Sequence, residues 1–365
     1  MFFRTGYQME EKKKNLRDFT YGELLTEVSR LGEKPYRAEQ LYAWIFRRHA
    51  ASIDEMTDIS KALRERLKDE YCIRPDTIVE VLEAADSTRK FLTELADGNR
   101  IESVLIPESG RLTLCVSSQA GCALSCRFCM TAQGGLLRNL TLAELTGQVF
   151  SAAALLKEGE KITNIVLMGM GEPLANYDNV LRFIGVLTDG KGFGFSHNKV
   201  TLSTAGLIPE LKRFAREGNV NIAVSLNATT DEVRTRLMPI NRKYPLAELL
   251  AALKEYTLGR REHITIEYVL IKGVNDSLED ARRLVYMLIG IRCKINLIVF
   301  NPYPGSEFEP PDEVAMNDFW QVVKDAGYTV LIRWSKGGDI QAACGQLRGR
   351  YSAENPQKEV DPEGS

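Results

Sequence analysis

The sequence is poor in histidine, carries almost no net charge and has no long apolar run. Three His residues among 365 disfavour a histidine-rich metal site. Lys and Arg (47) nearly balance Asp and Glu (49), which argues against a uniformly basic nucleic-acid binder but not against a local basic cleft. No apolar run reaches the roughly 18 residues of a membrane span, so we expect no membrane partner. The first residues also lack the apolar stretch of a secretory signal, which favours a cytoplasmic location.

The composition is otherwise that of a folded chain with an unusual set of cysteines. Hydrophobic residues make up 44% and charged residues 26%, and the length predicts about two to three domains. Seven cysteines occur, and three of them, Cys122, Cys126 and Cys129, fall within eight residues. A cytoplasmic chain of this size does not need disulfides to fold, so clustered cysteines favour a metal or redox site.

The pattern along the chain predicts five segments. Residues 1–76 have helical spacing and predict a helical accessory domain, while 77–111 alternate like the strands of a short antiparallel β-ribbon. Residues 112–335 form a core, 336–350 a C-terminal segment around Cys344, and 351–365 a polar, acidic tail that we expect to be disordered.

The core alternates short apolar, β-branched runs with amphipathic stretches. Such alternation indicates buried parallel strands covered by helices. Six or seven units with polar residues at the strand ends favour a partial or complete β/α barrel over an open sheet. The predicted strands lie at 112–117, 162–168, 199–203, 220–226, 264–271, 294–300 and 328–333.

The cysteine triplet C-x3-C-x2-C follows the first predicted strand of the core. Three thiolates on one loop can hold an iron–sulfur cluster and leave one iron open, because a [4Fe–4S] cluster usually takes four cysteines. The alternative is a structural zinc site whose fourth ligand is Cys115 or Cys344, although zinc sites more often show two separated C-x2-C pairs.

Polar residues follow several other strands. In segment 168–173, Gly171 would let a ligand approach the backbone, and Glu172 can accept hydrogen bonds from an ammonium group. An ordinary turn explains this segment equally well. The other polar strand ends, each also explicable as simple strand-end polarity, are at Ser203, Ser225, Asn227 and Asn301.

Three further residues are interpreted from their local setting. Cys344 stands between Ala and Gly and is sterically open, but a buried, inert cysteine is the common alternative. Cys115 could face the barrel lumen. Strand alternation makes Glu102 a solvent-facing carboxylate. Cys72 and Cys293 have no such setting and are interpreted as structural.

Several motifs together resemble one known family. C-x3-C-x2-C with Gly-Glu-Pro is the pattern of radical S-adenosylmethionine (SAM) enzymes, and Gly-Asp-Ile-x-Ala-Ala-Cys-Gly-Gln-Leu at 338–347 is similar to the RlmN/Cfr family of RNA adenosine methyltransferases. The resemblance runs from about Leu16 to Arg350. It implies a partial (β/α)6-type radical SAM barrel, preceded by the helical domain and the β-ribbon adaptor.

The resemblance implies a role for each candidate residue. Cys122, Cys126 and Cys129 would bind the [4Fe–4S] cluster, Cys344 would become S-methylcysteine, Cys115 would be the resolving thiol and Glu102 the proton acceptor. The SAM contacts would be Gly171, Glu172, Ser203, Ser225, Leu226, Asn227 and Asn301. The family often has His where Asn227 stands, although an Asn side chain can still hydrogen-bond.

The implied reaction is methylation of adenine C2, which is too electron-poor to attack a sulfonium methyl group directly. One SAM would methylate Cys344, a second would supply a 5′-deoxyadenosyl radical, and Cys115 would resolve a protein–RNA crosslink through a transient disulfide. The implied partners are 23S ribosomal RNA, tRNA and a flavodoxin- or ferredoxin-type electron donor, and we expect a monomer.

Two alternatives remain at this point. One is the C8 methylation of the Cfr branch, which Pro173 disfavours because that branch tends to carry Ala there. The other is a zinc-dependent RNA-binding module without catalysis. Candidate phosphate contacts are Arg234, Arg236, Arg242, Lys243, Arg333, Lys336, Arg348 and Arg350, each of which could instead be an ordinary solvated side chain.

Overall fold

The computed structural model describes residues 13–256 and 264–348, and within them eleven α-helices and fourteen strands occur. The strands are β1 (Lys14–Asn15), β2 (Tyr71–Cys72), β3 (Thr77–Glu83), β4 (Arg89–Glu94), β5 (Arg100–Glu108), β6 (Arg111–Cys115), β7 (Gln119–Gly121), β8 (Leu136–Asn139), β9 (Asn164–Leu167), β10 (Val200–Thr204), β11 (Asn221–Ser225), β12 (Ile264–Leu270), β13 (Cys293–Val299) and β14 (Val330–Arg333). The helices are α1 (Tyr21–Arg30), α2 (Tyr36–Phe46), α3 (Lys61–Glu70), α4 (Met130–Gln133), α5 (Leu142–Ala154), α6 (Tyr177–Thr188), α7 (Ile208–Glu217), α8 (Asp231–Leu237), α9 (Leu246–Glu255), α10 (Leu278–Met287) and α11 (Glu313–Asp325).

Ten of the strands form one sheet, in the order β14-β13-β12-β11-β10-β9-β6-β5-β4-β3. Neighbouring strands run parallel in the series β6, β9, β10, β11, β12, β13 and β14. Helices connect most of these strands. Strands β3 to β6 pair antiparallel and continue the same sheet. In the described residues β3 and β14 are its two edges, so the barrel is partial. This topology confirms the predicted α/β architecture.

The parallel strands are apolar because helices and the barrel lumen cover both of their faces. In β12, six of the seven residues are buried, and in β11 the central three are. The carboxyl ends of these strands meet at one rim, where ligands bind in barrels. The fold therefore brings together polar residues that lie far apart in the sequence.

The N-terminal helices pack against the barrel through helix α5. Thr20 and Glu23 form a capping box that begins α1, and Thr141 begins α5 in the same way. Arg17, which precedes α1, donates to Asp76 over 2.9 Å and stacks 4.2 Å above the ring of Phe150 on α5. The cation–π contact thus joins the helical segment to the core, and the buried ion pair holds the guanidinium of Arg17 in place.

No helix in residues 13–256 and 264–348 is long and apolar enough to cross a bilayer. The predicted disordered tail at 351–365 lies outside the described residues, and so does the candidate phosphate contact Arg350.

Candidate active site

A cavity opens at the carboxyl-end rim of the parallel strands. The space between its lining residues is about 970 Å³ when the open solvent at its mouth is included. Of the residues predicted to form the site, those that line it are Cys122, Cys126, Cys129, Gly171, Glu172, Ser203, Ser225, Asn227, Asn301 and Cys344. Leu226, Cys115 and Glu102 are not part of this lining.

The cysteine loop runs from β7 to the short helix α4. Gly121, at the end of β7, has a φ of +81°, and a Cβ there would collide with the backbone carbonyl of Gly135. The amide of Cys122 donates to that same carbonyl over 2.8 Å, which fixes the start of the loop. Glycine at 121 therefore lets the chain turn tightly enough for all three cysteines to line the cavity.

The chemistry of the thiol donor set suits an iron–sulfur cluster with one open iron. A tetrahedral zinc ion needs sulfurs at about 2.3 Å, whereas the thiolates of a [4Fe–4S] cluster each bind a different iron and stand further apart. The three cysteines, all free thiols around one cavity, fit the larger group.

Glu172 is buried beside the cysteine loop. Its carboxylate accepts hydrogen bonds from the backbone amides of Ala205 (2.8 Å) and Leu174 (3.0 Å). Burial raises the pKa of Glu172 to about 7, and these hydrogen bonds oppose the rise. The preceding Gly171 has a φ of +99°, and a Cβ there would lie 2.6 Å from the side chain of Gln119. The Gly-Glu pair is thus a constrained part of the cavity wall and more than an ordinary turn.

The residues at the ends of the neighbouring strands differ in how they relate to the cavity. Ser203 and Ser225 line the cavity directly. Asn227, with a φ of +58°, lines it too, but its Oδ1 accepts from the amide of Val269 over 2.8 Å. The side chain of Leu226 is fully buried in the main hydrophobic core, so any contact of this residue with a ligand would be through its backbone.

Hydrogen bonds to the backbone carbonyls of residues 344 and 345 hold Cys344 at the cavity. Its carbonyl accepts from the side-chain amide of Asn301 over 3.1 Å, and the next carbonyl, that of Gly345, accepts from the amide of Met130 over 2.7 Å. Cys344 is exposed and lines the cavity. Burial raises the pKa of Cys344 to about 11, and the charge of Glu267 adds to the rise. Cys344 is therefore not the inert, buried cysteine of the alternative interpretation.

The other three cysteines lie outside the cavity lining. Cys115, at the end of β6, is buried, and burial together with the nearby Cys344 raises the pKa of its thiol. Cys72, on β2, contacts the carbonyls of Lys13 and Lys14 over 3.8 Å. Cys293 begins β13 and is half-buried. Of the three, Cys115 alone is placed near Cys344.

The interpretation of Glu102 as a solvent-facing carboxylate is wrong. Only 7% of the residue is exposed, because β5 is buried on both faces and strand alternation does not apply there. Its Oε1 lies 3.1 Å from the ammonium group of Lys90, and its Oε2 accepts from the amide of Arg348 over 2.7 Å. Glu102 thereby anchors the end of the Cys344 segment.

The prediction that Arg234 contacts RNA phosphate is also wrong. This side chain is completely buried, and its guanidinium donates to the carbonyls of Ala205 (2.9 Å) and Leu226 (3.1 Å) and to Asn241 Oδ1 (3.0 Å). A cation enclosed in this way cannot reach RNA. The described basic candidates that are exposed are Arg236, Arg242, Lys243, Arg333, Lys336 and Arg348.

The sequence analysis missed Glu267, which lines the cavity from the middle of β12. The residue is 6% exposed. A single carboxylate within the apolar run Ile-Thr-Ile-Glu-Tyr-Val-Leu was a usable signal, because a buried charge in a strand needs a reason.

Two family models match the chain. Residues 14–73 match the ribosomal RNA large subunit methyltransferase N-terminal domain, and residues 116–285 match the radical SAM superfamily. Together they cover the helical segment, the cysteine loop and most of the barrel.

Similar proteins cover most of the chain. The dual-specificity RNA methyltransferase RlmN of Desulfosudis oleivorans is 53% identical over 86% of this chain and 85% of its own length. The protein of the same name from Geotalea uraniireducens is 49% identical over 93% and 98%. The crystal structure of a radical SAM methyltransferase from Sphaerobacter thermophilus superimposes with a TM-score of 0.87 at 43% identity, covering 92% of this chain and 99% of that one.

Proposed function

Because the chain belongs to the RlmN family of dual-specificity RNA methyltransferases within the radical SAM superfamily, we propose that it methylates C2 of an adenosine in 23S ribosomal RNA and of an adenosine in tRNA. The relatives' names favour this reaction over the C8 methylation of the Cfr branch. The radical SAM match likewise disfavours a zinc-dependent binding module.

One observation carries the proposal: the cavity that holds the three clustered cysteines also holds Cys344. Cys122, Cys126 and Cys129 would hold the [4Fe–4S] cluster. When bound, the cluster and SAM supply a transferable methyl group and a 5′-deoxyadenosyl radical. The thiol of Cys344, in the same cavity, would accept the methyl group before the RNA does.

The lining residues have distinct parts in this proposal. Glu172 would accept a hydrogen bond from the ammonium group of SAM, and Ser203, Ser225 and Asn227 would contact the rest of the molecule. Asn301 would position Cys344 through the hydrogen bond to its carbonyl. A direct contact of Leu226 would involve only its main chain.

Three residues would act after RNA has bound. Cys344 would carry the methyl carbon and become linked to the adenine. Glu102 would accept the proton that leaves C2, a role that requires its contacts with Lys90 and Arg348 to loosen. Cys115, placed near Cys344, would displace the methylated base and leave a Cys115–Cys344 disulfide for reduction.

The partners and organisation follow from the same assignment. We expect residues 1–76 to dock RNA, 77–111 to link that domain to the core at 112–335, and 336–350 to carry Cys344. A flavodoxin- or ferredoxin-type protein would donate electrons, and the enzyme would act as a monomer in the cytoplasm.

The test is to map the methylated adenine by mass spectrometry after turnover with ribosomal RNA and tRNA. We expect 2-methyladenosine from the wild-type protein and none from Cys344→Ala. Cys115→Ala should retain RNA in a covalent adduct, because the resolving thiol is gone. Cys293→Ala is the matched control and should behave as the wild type. Normal turnover by both Cys344→Ala and Cys115→Ala, or methylation at C8, would contradict the proposal.

A further inference from the structure

Glu267 is a carboxylate of the active-site cavity to which the proposed reaction assigns no task. It projects from the middle of β12, is 6% exposed and lines the same cavity as Cys344. Burying a charged group costs free energy unless it is compensated, so a carboxylate kept here calls for a function.

One oxygen of Glu267 is held by Asn296, its register partner on β13. The side-chain amide of Asn296 donates to Oε1 over 2.9 Å, whereas Asn296 Oδ1 is buried without a hydrogen-bond partner. In the described residues Oε2 has no hydrogen-bond partner and so can face the cavity. By rotating its amide, Asn296 can donate to a carboxylate or accept from a carboxylic acid. This pairing accommodates both protonation states of Glu267.

Burial, opposed by neighbouring charges, brings the pKa of Glu267 close to neutral pH. Burial raises the pKa of Glu267 to about 7, and the Asn296 hydrogen bond, Arg333 on β14 and Lys294 on β13 oppose the rise. A base is most effective when its pKa is near the working pH. The charged or titratable groups that act on Cys344 are Glu267, Arg333 and Cys129, and Cys115 is also close to it.

Methylation of Cys344 requires a proton acceptor. A thiol is a poor nucleophile, an ordinary cysteine is mostly protonated at neutral pH, and the product thioether has no S–H proton. The proton must therefore leave as the new carbon–sulfur bond forms. This requirement rests on the proposed function, in which Cys344 is the first methyl acceptor.

We propose that Glu267 is the general base that takes the thiol proton of Cys344 during its methylation. The Cys344 sulfur forms a bond to the methyl carbon, and the sulfonium sulfur of the donor keeps the electron pair of the bond that breaks. The S–H electron pair stays on Cys344, and the proton passes to Glu267, directly or through one water.

The other buried carboxylates of the site are less suited to this task. Both oxygens of Glu102 are engaged, by Lys90 and by the amide of Arg348, and Glu102 does not line the cavity. Glu172 accepts from two backbone amides, which favour its ionised form and restrain its position. Asn296, the hydrogen-bond partner of Glu267, can instead rotate its side-chain amide and accept a hydrogen bond once Glu267 is protonated.

The test compares the holoenzyme with Glu267→Gln and Glu267→Asp in one turnover with deuteromethyl SAM and no reductant. Mass spectrometry of the Cys344 peptide gives the rate of methylation across a pH series. Glu279→Gln is the control: it removes the same charge at an exposed position on α10 (74% side-chain exposure). Equilibrium dialysis measures SAM binding, and infrared spectra of the metal-free protein follow protonation of Glu267.

We expect Glu267→Gln to slow methylation at pH 7 by about a hundredfold or more, which is the usual contribution of general base catalysis. Its rate should keep rising with pH as free thiolate replaces the lost base, whereas the wild-type rate should level off above pH 7. Glu267→Asp should restore part of the rate, and Glu279→Gln should match the wild type. Carboxylic-acid absorption should decrease near pH 7 in the wild type, and the decrease should be smaller in Glu267→Gln, in which Glu172 still titrates in this range.

Three results would overturn the inference: a wild-type rate and pH profile in Glu267→Gln, a slower rate with an unchanged pH profile, or a loss explained by weaker SAM binding. A wild-type protein that never acquires a methyl group on Cys344 would contradict the proposed function itself, so the two failures are distinguishable.

Discussion

At the scale of single residues, Arg234 shows how burial changes what a side chain does. In sequence it is one basic residue among several, but in the structure its guanidinium connects the carboxyl ends of β10 and β11 behind the cavity wall. It donates to the carbonyls of Ala205, Ser225 and Leu226. Burial lowers the pKa of Arg234 to about 10, so the group still carries its charge at neutral pH. We infer that Arg234 supports the cavity wall.

Arg234→Met should destabilise the protein by about 3 kcal/mol or more, because several buried acceptors would lose a charged donor at once. Urea unfolding of the metal-free protein measures this loss, provided that the slope with denaturant stays unchanged. Arg236→Met, two positions along α8 and exposed, is the control and should change stability by less than about 0.5 kcal/mol. A loss below about 1 kcal/mol for Arg234→Met would show that these hydrogen bonds are dispensable.

At the scale of secondary-structure elements, Gly147 determines how α5 packs against the residues before β3. A Cβ at this position would collide with the carboxylate of Asp76. That carboxylate pairs with Arg17, whose guanidinium stacks on Phe150 of the same helix. A helix without a side chain at this point therefore allows the buried ion pair to form.

Gly147→Ala should lower stability by about 1–3 kcal/mol, since the collision outweighs the higher helix propensity of alanine. Gly185→Ala on α6 is the matched control: a Cβ there meets no atom within 4 Å. It should gain about 0.5–1 kcal/mol from helix propensity alone. Urea unfolding curves of both variants check the pair. An increase of stability in both would mean that α5 and Asp76 can move apart without cost.

At the scale of the whole molecule, the net charge of −2 sets how RNA can be held. Phosphate contacts must come from local groups of cations. Arg242 and Lys243 are exposed and follow Met238, which lines the cavity. The burial of Arg234 leaves residues 234–243 with fewer accessible cations than the sequence indicates.

Replacing Arg242 and Lys243 together with Gln should weaken RNA binding and make it less dependent on salt. The slope of log affinity against log salt should become shallower by about 0.7–0.9 for each phosphate that the variant no longer neutralises. Filter binding over a series of salt concentrations measures this slope. Replacing Arg282 and Lys324, on the outer helices α10 and α11, removes the same charge and should leave the slope unchanged. Equal slopes for both double variants would place the RNA on another surface.

The amino-acid sequence by itself determined the features that depend on local spacing. The cysteine triplet lies on one loop, and the alternation of apolar strands with amphipathic helices specified a β/α barrel. Because parallel strands end at one rim, Glu172, Ser203 and Ser225 could be expected to come together there. These predictions need only residues that are near in sequence or a rule of topology.

Tertiary structure alone decided which side chains are buried and what they contact. Glu102 is buried because the C-terminal segment covers β5, and Arg234 is buried because the carbonyls of Ala205, Leu226 and Tyr244 surround it. Glu267 and Cys344 meet at one cavity although they lie on distant segments of the sequence, a pairing that no local pattern encodes. The burial of a side chain and its hydrogen-bond partners depend on contacts between distant segments of the chain. These contacts determine the pKa of each group and whether a ligand can contact it.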